Sequence, residues 1–425
     1  MKTQFIISAL LGMGLPVIAH AQSVGLIQSP SSRGHAEAVT SNISGTDSLF
    51  YNPAALAWQA WSFRLVGVEA ASDTDSQERV KKFVNNESDS KSFSLVDMYD
   101  KLNSTKPVAV ESVARLADIA IPYFAVSSFS RLAATSESTA DHYDMNVYGD
   151  VGATAGFAIK IGKLGIGYSQ FRLIRARINT QPSQEQFQAI MDAAENNTLD
   201  ENTVPFRDFT QFYYGGAVGQ NAGLLYRLFD EKNPSAIGVS ALNIGGTKFT
   251  TKAPITNKKL KELEKTMQEE AGTYDIDLEL PSDIPEMYNV GVTLGWGNEE
   301  SVFRALCSVE EDDVGGDYIQ YKTAASCDMG FQLPDKLALA SAVDVYKNDK
   351  YLYHAGLMSA RVFGGRRFDV YDAYGAGLSF HFGYMKQISL VRLDLEGFQT
   401  TPLQDKFKHL ALTGVRAVLG LTLIY

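Results

Sequence analysis

The 425-residue sequence has few of the residues that most catalytic and metal sites use. It contains two cysteines and six histidines, and no histidine pair has the spacing of metal ligands. A Gly-x-Ser-x-Gly nucleophile motif, a phosphate-binding glycine loop and a dinucleotide fingerprint are also missing. Acidic residues outnumber basic ones, and the net charge of −11 argues against nucleic acid as a partner. We therefore predict no enzyme activity, no metal site and no cofactor.

Long hydrophobic runs are missing from most of the chain. Nothing after residue 21 reaches the roughly 18 consecutive apolar residues that a membrane-spanning helix needs. Residues 1–21 combine Lys2, a short apolar stretch and the small-x-small sequence Ala19-His20-Ala21, which is the pattern of a cleaved secretory signal. An uncleaved membrane anchor is the alternative, but the apolar stretch is too short to span a bilayer. We predict a mature chain that starts near Gln22.

The C-terminal segment alternates between apolar and small or charged residues. Its odd positions are Thr413, Val415, Ala417, Leu419, Leu421, Leu423 and Tyr425. A period of two indicates a strand, and similar segments recur along the chain. One face would contact outer-membrane lipid and the other a lumen. The sequence therefore predicts an all-β protein, a transmembrane antiparallel β-barrel of about 14 strands, in the cell outer membrane. A last strand that ends in an aromatic residue also resembles the signal that bacterial barrel-assembly machinery recognises.

The pattern divides the chain into four predicted parts. These are a signal peptide (1–21), an N-terminal plug (22–60), a mixed strand and helix segment that is either plug or loop (61–118), and the barrel itself (119–425). Within the third part, residues 110–117 have apolar side chains at helical spacing, and 61–71 reads either as an extra strand or as part of the plug.

Two long loops between the predicted strands carry helical patterns. Residues 184–195 place Phe187, Ile190 and Met191 on one side, and residues 257–270 place Leu260, Leu263 and Met267 at helical spacing. Such helices either capture a ligand at the mouth of the barrel or pack against its rim.

The two cysteines fall on one predicted hairpin that turns near residues 313–317. Cys307 and Cys327 lie on the same parity as apolar neighbours, so they are able to face each other across the hairpin. In an oxidising compartment, a cross-strand disulfide and a pair of free thiols are both open alternatives.

A motif near the mature N-terminus resembles a known family. Gly45-Thr46-Asp47-Ser48-Leu49-Phe50-Tyr51 is followed by Asn52-Pro53-Ala54, and this looks like the plug signature of the FadL/TodX superfamily of outer-membrane transporters, including divergent relatives such as TraF/PorV-like barrels. Pro53 is suited to open a helical turn and Asn52 to cap it. The motif either contacts cargo or is only a capped turn inside the barrel.

The resemblance implies uptake of a hydrophobic small molecule, such as a long-chain fatty acid, through the barrel after a plug shift or through a gap between strands. The alternative is a structural or secretion-associated barrel of the same fold, and an open diffusion porin is a third possibility. Charged residues at the predicted lumen-facing positions, among them Lys160 and Arg416, favour a packed or water-filled lumen over a continuous hydrophobic channel. We expect a monomer.

Overall fold

In the computed structural model, the described residues are 33, 38–41, 43, 45–59, 61–73, 108–138, 143–195, 208–229, 235–251, 262, 265, 278–284, 286–296, 320–332, 336–351, 356–367, 370–382, 388–404 and 411–423. Antiparallel strands dominate them. The long strands are β1 (Trp61–Ser72), β2 (Val108–Ile121), β3 (Phe124–Ser138), β4 (Tyr143–Ile161), β5 (Leu164–Thr180), β6 (Thr210–Arg227), β7 (Ala236–Leu242), β10 (Met287–Trp296), β11 (Gln320–Gln332), β12 (Lys336–Tyr351), β13 (Gly356–Arg367), β14 (Tyr371–Phe382), β15 (Ile388–Pro402) and β16 (Thr413–Leu423).

Two short strands and a few helical segments complete the described structure. β8 (Phe249–Thr250) and β9 (Leu278–Glu279) pair with β6 beyond the end of β7. The helical segments are a 3-10 turn (Gly45–Asp47), α1 (Ser48–Tyr51), a 3-10 helix (Pro53–Trp58) and α2 (Gln184–Glu195). Among the residues described, no helix is both long and apolar enough to cross a bilayer.

The strands form a closed ring. Each long strand pairs with the next one along the chain, and β7 pairs with β10 across the intervening loop. The first and last strands also pair, with Trp61 opposite Leu423 and Ser72 opposite Thr413. Because every long strand has a partner on both edges, no long edge strand is left open. The predicted barrel of about 14 strands is confirmed.

The outer face of the barrel is apolar. On β16, Val415 and Leu419 are 63% and 39% exposed, whereas Gly414, Val418 and Gly420 between and beside them are buried. Exposed large apolar side chains occur on every long strand whose side chains are described: Val68, Leu116, Leu132, Phe157, Ile166, Leu224, Val239, Val290, Val362, Leu378, Leu395 and Val415. An apolar outer face on these strands of a closed barrel is the surface that contacts lipid.

The first part of the barrel differs from the prediction. The strands begin at Trp61, not near residue 119, because β1 pairs with both β16 and β2. The predicted helix over 110–117 is wrong, since these residues belong to β2. Glu111 and Arg115 point inward there and are buried by ion pairs, which hides the apolar alternation expected of a strand.

The predicted cysteine hairpin is also not found. At Cys327, β11 pairs with Val292 of β10 on one edge and with Ser341 of β12 on the other. No strand edge remains beside Cys327 for the segment around Cys307, which itself lies outside the described residues. A disulfide between the two cysteines stays a prediction.

Candidate functional site: an N-terminal plug inside the barrel

The N-terminal residues 38–59, called the plug here, lie inside the barrel. Its 3-10 helix begins at Pro53, whose missing N–H costs nothing at the first helical position. Asn52 caps this helix, because its Oδ1 accepts a hydrogen bond of 3.1 Å from the Ala54 N–H. The cap geometry predicted from the Asn-Pro-Ala motif is therefore present.

Asn52 also attaches the plug to the barrel wall. The side chain is fully buried, and its Nδ2 donates to the carbonyl of Thr40 (2.9 Å) and to that of Leu224 on β6 (3.1 Å). All donors and one acceptor of the amide are thus used. At the end of the barrel where β1 begins, the Tyr123 N–H donates to the Leu56 carbonyl at 3.0 Å.

The inner face of β4–β7, called the glycine side, holds the plug by close backbone contact. A Cβ added at Gly167 would lie 2.2 Å from the carbonyl carbon of Pro53, and one at Gly223 would lie 2.0 Å from Asn52 Oδ1. Nearby, Ser169 Oγ and Asn221 Nδ2 both donate to the Leu49 carbonyl, at 2.7 and 3.0 Å. α1 and the 3-10 helix both contact these strands.

Apolar side chains of the plug and the wall form one buried cluster in the lumen. Phe50 meets Phe129 of β3 edge to face, with ring centroids 5.6 Å apart. Leu49 and Leu56 pack in the same cluster as Phe171 of β5. The cluster also contains Val39, Tyr51, Ala57, Val113, Ala120, Ala125, Ala158, Leu173, Ala217 and Phe249. The lumen therefore includes an apolar region beside the plug.

The inner face of β16 and β1–β3, called the charged side, contacts the plug differently. Here the 3-10 turn Gly45–Asp47, called the latch, supplies the polar contacts. Asp47 forms an ion pair with Arg115, and Arg416 Nη1 lies 3.7 Å from its Oδ2. Thr46 Oγ1 donates to Asp118 Oδ2 at 2.9 Å. These contacts join the plug to charged wall residues.

The electrostatics of the latch favour the ionised carboxylate. Burial by itself would raise the pKa of Asp47, but the guanidinium groups of Arg115 and Arg416 outweigh it and hold that pKa well below its usual range. The guanidinium of Arg115 also lies over the Phe50 ring, with Cζ 5.4 Å from the centroid. Asp47 is thus charged across the physiological range.

Asp118 is the wall acceptor that the latch uses, and it sits at an irregularity of β2. The register between β2 and β3 shifts between Leu116 and Ile119, and Ala117 has a φ of 55°. This bulge leaves the Asp118 carboxylate fully buried, with Arg64 Nη1 at 2.8 Å and Ser127 Oγ at 2.7 Å. Asp118 therefore keeps two wall donors besides Thr46.

A row of buried and half-buried acids and arginines, called the charged belt, lines the lumen on β15, β16 and β1–β5. Arg131 Nε lies 2.6 Å from Glu111, which also pairs with Arg33. Arg175 makes a bidentate contact with Asp150 at 2.7 and 2.8 Å. The belt consists of Glu396, Arg416, Glu69, Glu111, Arg115, Arg131, Asp150 and Arg175. Arg416 faces the lumen as its parity predicted, and Lys160 reaches the Trp58 ring at 5.8 Å.

The structure does not bring the predicted loop residues into this site. α2 is confirmed, and Ser183 and Gln186 cap its start. Ser183 Oγ accepts from the Gln186 N–H at 3.2 Å, and Gln186 Oε1 accepts from the Ser183 N–H at 2.8 Å. Phe187 is half-buried, and Ile190 and Met191 lie on the same helix. Leu260, Leu263 and Met267 lie outside the described residues.

Several residues that form the site could not be predicted from the sequence. Gly167 and Gly223 could not be recognised as plug contacts, because glycines recur throughout the strands. Asp47 and Thr46 stood within the motif, but Arg115 fell in the stretch with apolar residues at helical spacing, and Asp118 was the last residue of the mixed strand and helix segment. Within the part of the chain that the structure describes, no three His, Cys, Asp or Glu side chains are placed to hold a metal ion.

No protein-family model matches this chain, and no curated protein matches it. Among solved structures, it is similar to a Pseudomonas aeruginosa FadL homologue (TM-score 0.43, 10% identity, 95% of this chain and 100% of that one). It is also similar to the Pseudomonas putida toluene transporter TodX (0.41, 10%, 95% and 100%) and to the Ralstonia pickettii toluene transporter TbuX (0.41, 10%, 94% and 98%).

The assignment to a class rests on the chain's own geometry. An even number of long antiparallel strands closes into a ring, and on the strands whose side chains are described the outer face is apolar while the inner face carries the charged belt and the plug contacts. In the membrane, backbone polar groups are satisfied only within helices or closed barrels. The protein is an outer-membrane β-barrel with an N-terminal plug.

Proposed function

We propose that this barrel takes up hydrophobic small molecules, of the long-chain fatty-acid type, across the outer membrane. The observation that supports this is the buried apolar cluster between plug and wall, in which Leu49 and Leu56 pack with Phe171. An apolar molecule that enters the lumen would find matching side chains there once the plug shifts. Outer-membrane lipid, the hydrophobic ligand and, through the last strand, barrel-assembly machinery are the partners in this proposal, and the barrel acts as a monomer.

Uptake of a radiolabelled long-chain fatty acid into cells without another uptake barrel tests the function. We expect Phe171→Ser, which puts a hydroxyl in the apolar cluster, to lower uptake at least fivefold. The matched control is Phe157→Ser, which changes an exposed ring on the lipid side of β4 and leaves the lumen as it is. Equal uptake by cells with and without the protein would contradict the proposal. Ligand that survives purification should be identified by mass spectrometry.

Planar-bilayer conductance separates a plugged transporter from an open porin. The intact chain is expected to conduct little, and a chain without residues 30–57 is expected to give a large steady current. A large steady current through the intact chain would instead identify a diffusion porin.

A structural or secretion-associated barrel is the second candidate, and the charged belt favours it. Ion pairs such as Arg175 with Asp150 brace adjacent strands and fill part of the lumen. This function predicts no fatty-acid uptake, together with loss of a secreted or surface-assembled product when the gene is deleted.

A further inference from the structure

The plug is attached to the two sides of the barrel by unlike contacts. α1 and the 3-10 helix make most of their contacts with β4, β5 and β6, and the latch Gly45–Asp47 contacts β2 and β3. Two further contacts, of Phe50 with Phe129 on β3 and of Leu56 with Tyr123, involve uncharged groups. On the glycine side the contacts are between neutral groups and backbone. On the charged side the polar contacts of the latch are to ionised wall residues.

The glycine side resists separation. Main chain lies against main chain at Gly167, so the plug has no side chain there that could swing aside. The Leu49 carbonyl is held by two donors, Ser169 and Asn221, and moving α1 away would remove both of its hydrogen bonds, while Asn221 Nδ2 would keep Ser169 Oγ at 3.3 Å. It would also expose the apolar packing of Leu49 and Leu56 to water.

On the charged side, each wall residue has a second partner of its own. Without Asp47, Arg416 Nη1 keeps Glu396 Oε2 at 3.4 Å, and Arg115 Nη1 keeps Asp118 Oδ2 at 4.0 Å. Asp118 in turn keeps Arg64 and Ser127 when Thr46 leaves. After release of the latch, Arg115, Arg416 and Asp118 each still have a charged wall partner, which offsets part of the cost of separating them from the latch.

We propose that Gly45–Asp47 is a salt-sensitive latch, whose release opens a passage along β16 and β1–β3 while α1 and the 3-10 helix stay on the glycine side. The passage rests on the proposed uptake function, but the movement of the latch does not. Salt favours the released state, because it screens the separated charges more than the buried pair.

Thiol labelling measures this movement without transport. The background carries Cys307→Ser and Cys327→Ser. One reporter is Thr46→Cys, in the latch, and the other is Ser41→Cys, whose hydroxyl faces Thr293 of β10 at 2.6 Å. Both reporters replace a plug hydroxyl that bonds to a wall side chain, so the substitutions are matched.

Into each reporter we would introduce Asp47→Asn, which removes the charge of the latch. The maleimide labelling rate of Thr46→Cys should rise at least tenfold, and that of Ser41→Cys should change less than twofold. Asp150→Asn, which removes a belt carboxylate that pairs with Arg175, should leave the Thr46→Cys rate as it was. With Asp47 intact, raising NaCl from 0.05 to about 1 M should increase the Thr46→Cys rate in the same direction.

Two results would overturn the proposed latch. One is an equal increase of the labelling rate at both reporters, which would mean that the plug leaves as one body. The other is an unchanged labelling rate at Thr46→Cys. Heat-modifiable migration on gels checks that each variant is a folded barrel. If Asp47→Asn does not fold, the salt series on the chain with Asp47 intact tests the latch instead. Fatty-acid uptake is measured separately. If uptake is absent while labelling follows the expected pattern, the proposed function fails and the latch stands.

Discussion

At the scale of single residues, Asn52 shows why the plug motif needs an amide. Its oxygen caps the following helix, and its nitrogen bonds to two carbonyls, one within the plug and one on β6. A carboxylate of the same shape would supply the oxygen but neither donor. Because the site is fully buried, water does not replace the missing bonds.

Asn52→Asp is therefore expected to loosen the plug while the barrel stays folded. The carbonyls of Thr40 and Leu224 would each lose the hydrogen bond from Asn52, at a cost of about 0.5–1.5 kcal/mol for each bond. Hydrogen exchange of residues 45–58 should accelerate accordingly. The control is Asn146→Asp on β4, which likewise keeps an accepting oxygen, here for Arg177, and loses an amide donor, here to Asp144 Oδ1 at 3.0 Å, but lies outside the plug. Unchanged exchange in Asn52→Asp would show that these bonds do not hold the plug.

The sequence was sufficient to predict the local role of Asn52 but not its distant one. The cap and Pro53 depend on neighbours in the chain, and their geometry follows from residue type. The bond to Leu224 spans a large separation in sequence, and no local pattern encodes it. The same holds for the contact of Gly167 with Pro53.

At the scale of strands, glycines on the inner wall determine how closely the plug approaches. A methyl group at Gly167 would overlap the Pro53 carbonyl carbon, and backbone atoms have little room to move aside. At Gly149 on the adjacent β4, a Cβ would meet the Arg131 carbonyl at 3.8 Å and Leu132 Cδ1 at 4.0 Å, which are ordinary contacts.

Gly167→Ala should therefore disturb plug docking and Gly149→Ala should not. Overpacking a tight site costs about 1–3 kcal/mol, and a backbone clash belongs at the upper end of that range. Limited proteolysis at residues 38–59 in detergent measures the difference. Equal protection of the plug in both variants would mean that β5 does not set its position.

The alternation of the strands could be predicted from sequence wherever the lumen face was small or uncharged. β16 was identified in this way, but β2 was not, since its inward residues Glu111 and Arg115 are buried by partners on the plug and on β3. Charge usually indicates exposure, and only the folded barrel shows that these charges are inside.

A charge on the outer face of β16 tests the predicted lipid contact directly. Val415→Lys should destabilise the barrel by about 2–4 kcal/mol if the position lies near the bilayer midplane. Val415→Leu keeps the face apolar and should have little effect. Urea unfolding in lipid vesicles measures both, and equal stability of the two variants would place Val415 outside the membrane.

At the scale of the whole molecule, the plug and the charged belt act together through Asp47. The depressed pKa of this carboxyl means that its contribution to plug attachment is complete above the ordinary aspartate pKa of about 3.9 and is lost as pH falls below it.

Conductance of the intact barrel should therefore stay low from pH 8 to pH 5 and rise only below about pH 4. Asp47→Asn, which has no charge to lose, should already conduct more at pH 7 and change less on acidification. A rise centred near pH 6 in the intact chain would point to a different titrating group.

The ladder between β1 and β16 joins strands from opposite ends of the sequence, and this constrains biogenesis. Trp61 can pair with Leu423 only once both strands are present, so we expect the β1–β16 pair to form last. Strands β4–β7, which carry the docking surface of the plug, pair with one another and do not need the β1–β16 pair to do so. The plug can therefore bind to β4–β7 in a partly formed barrel, and the barrel can close with the plug already in place.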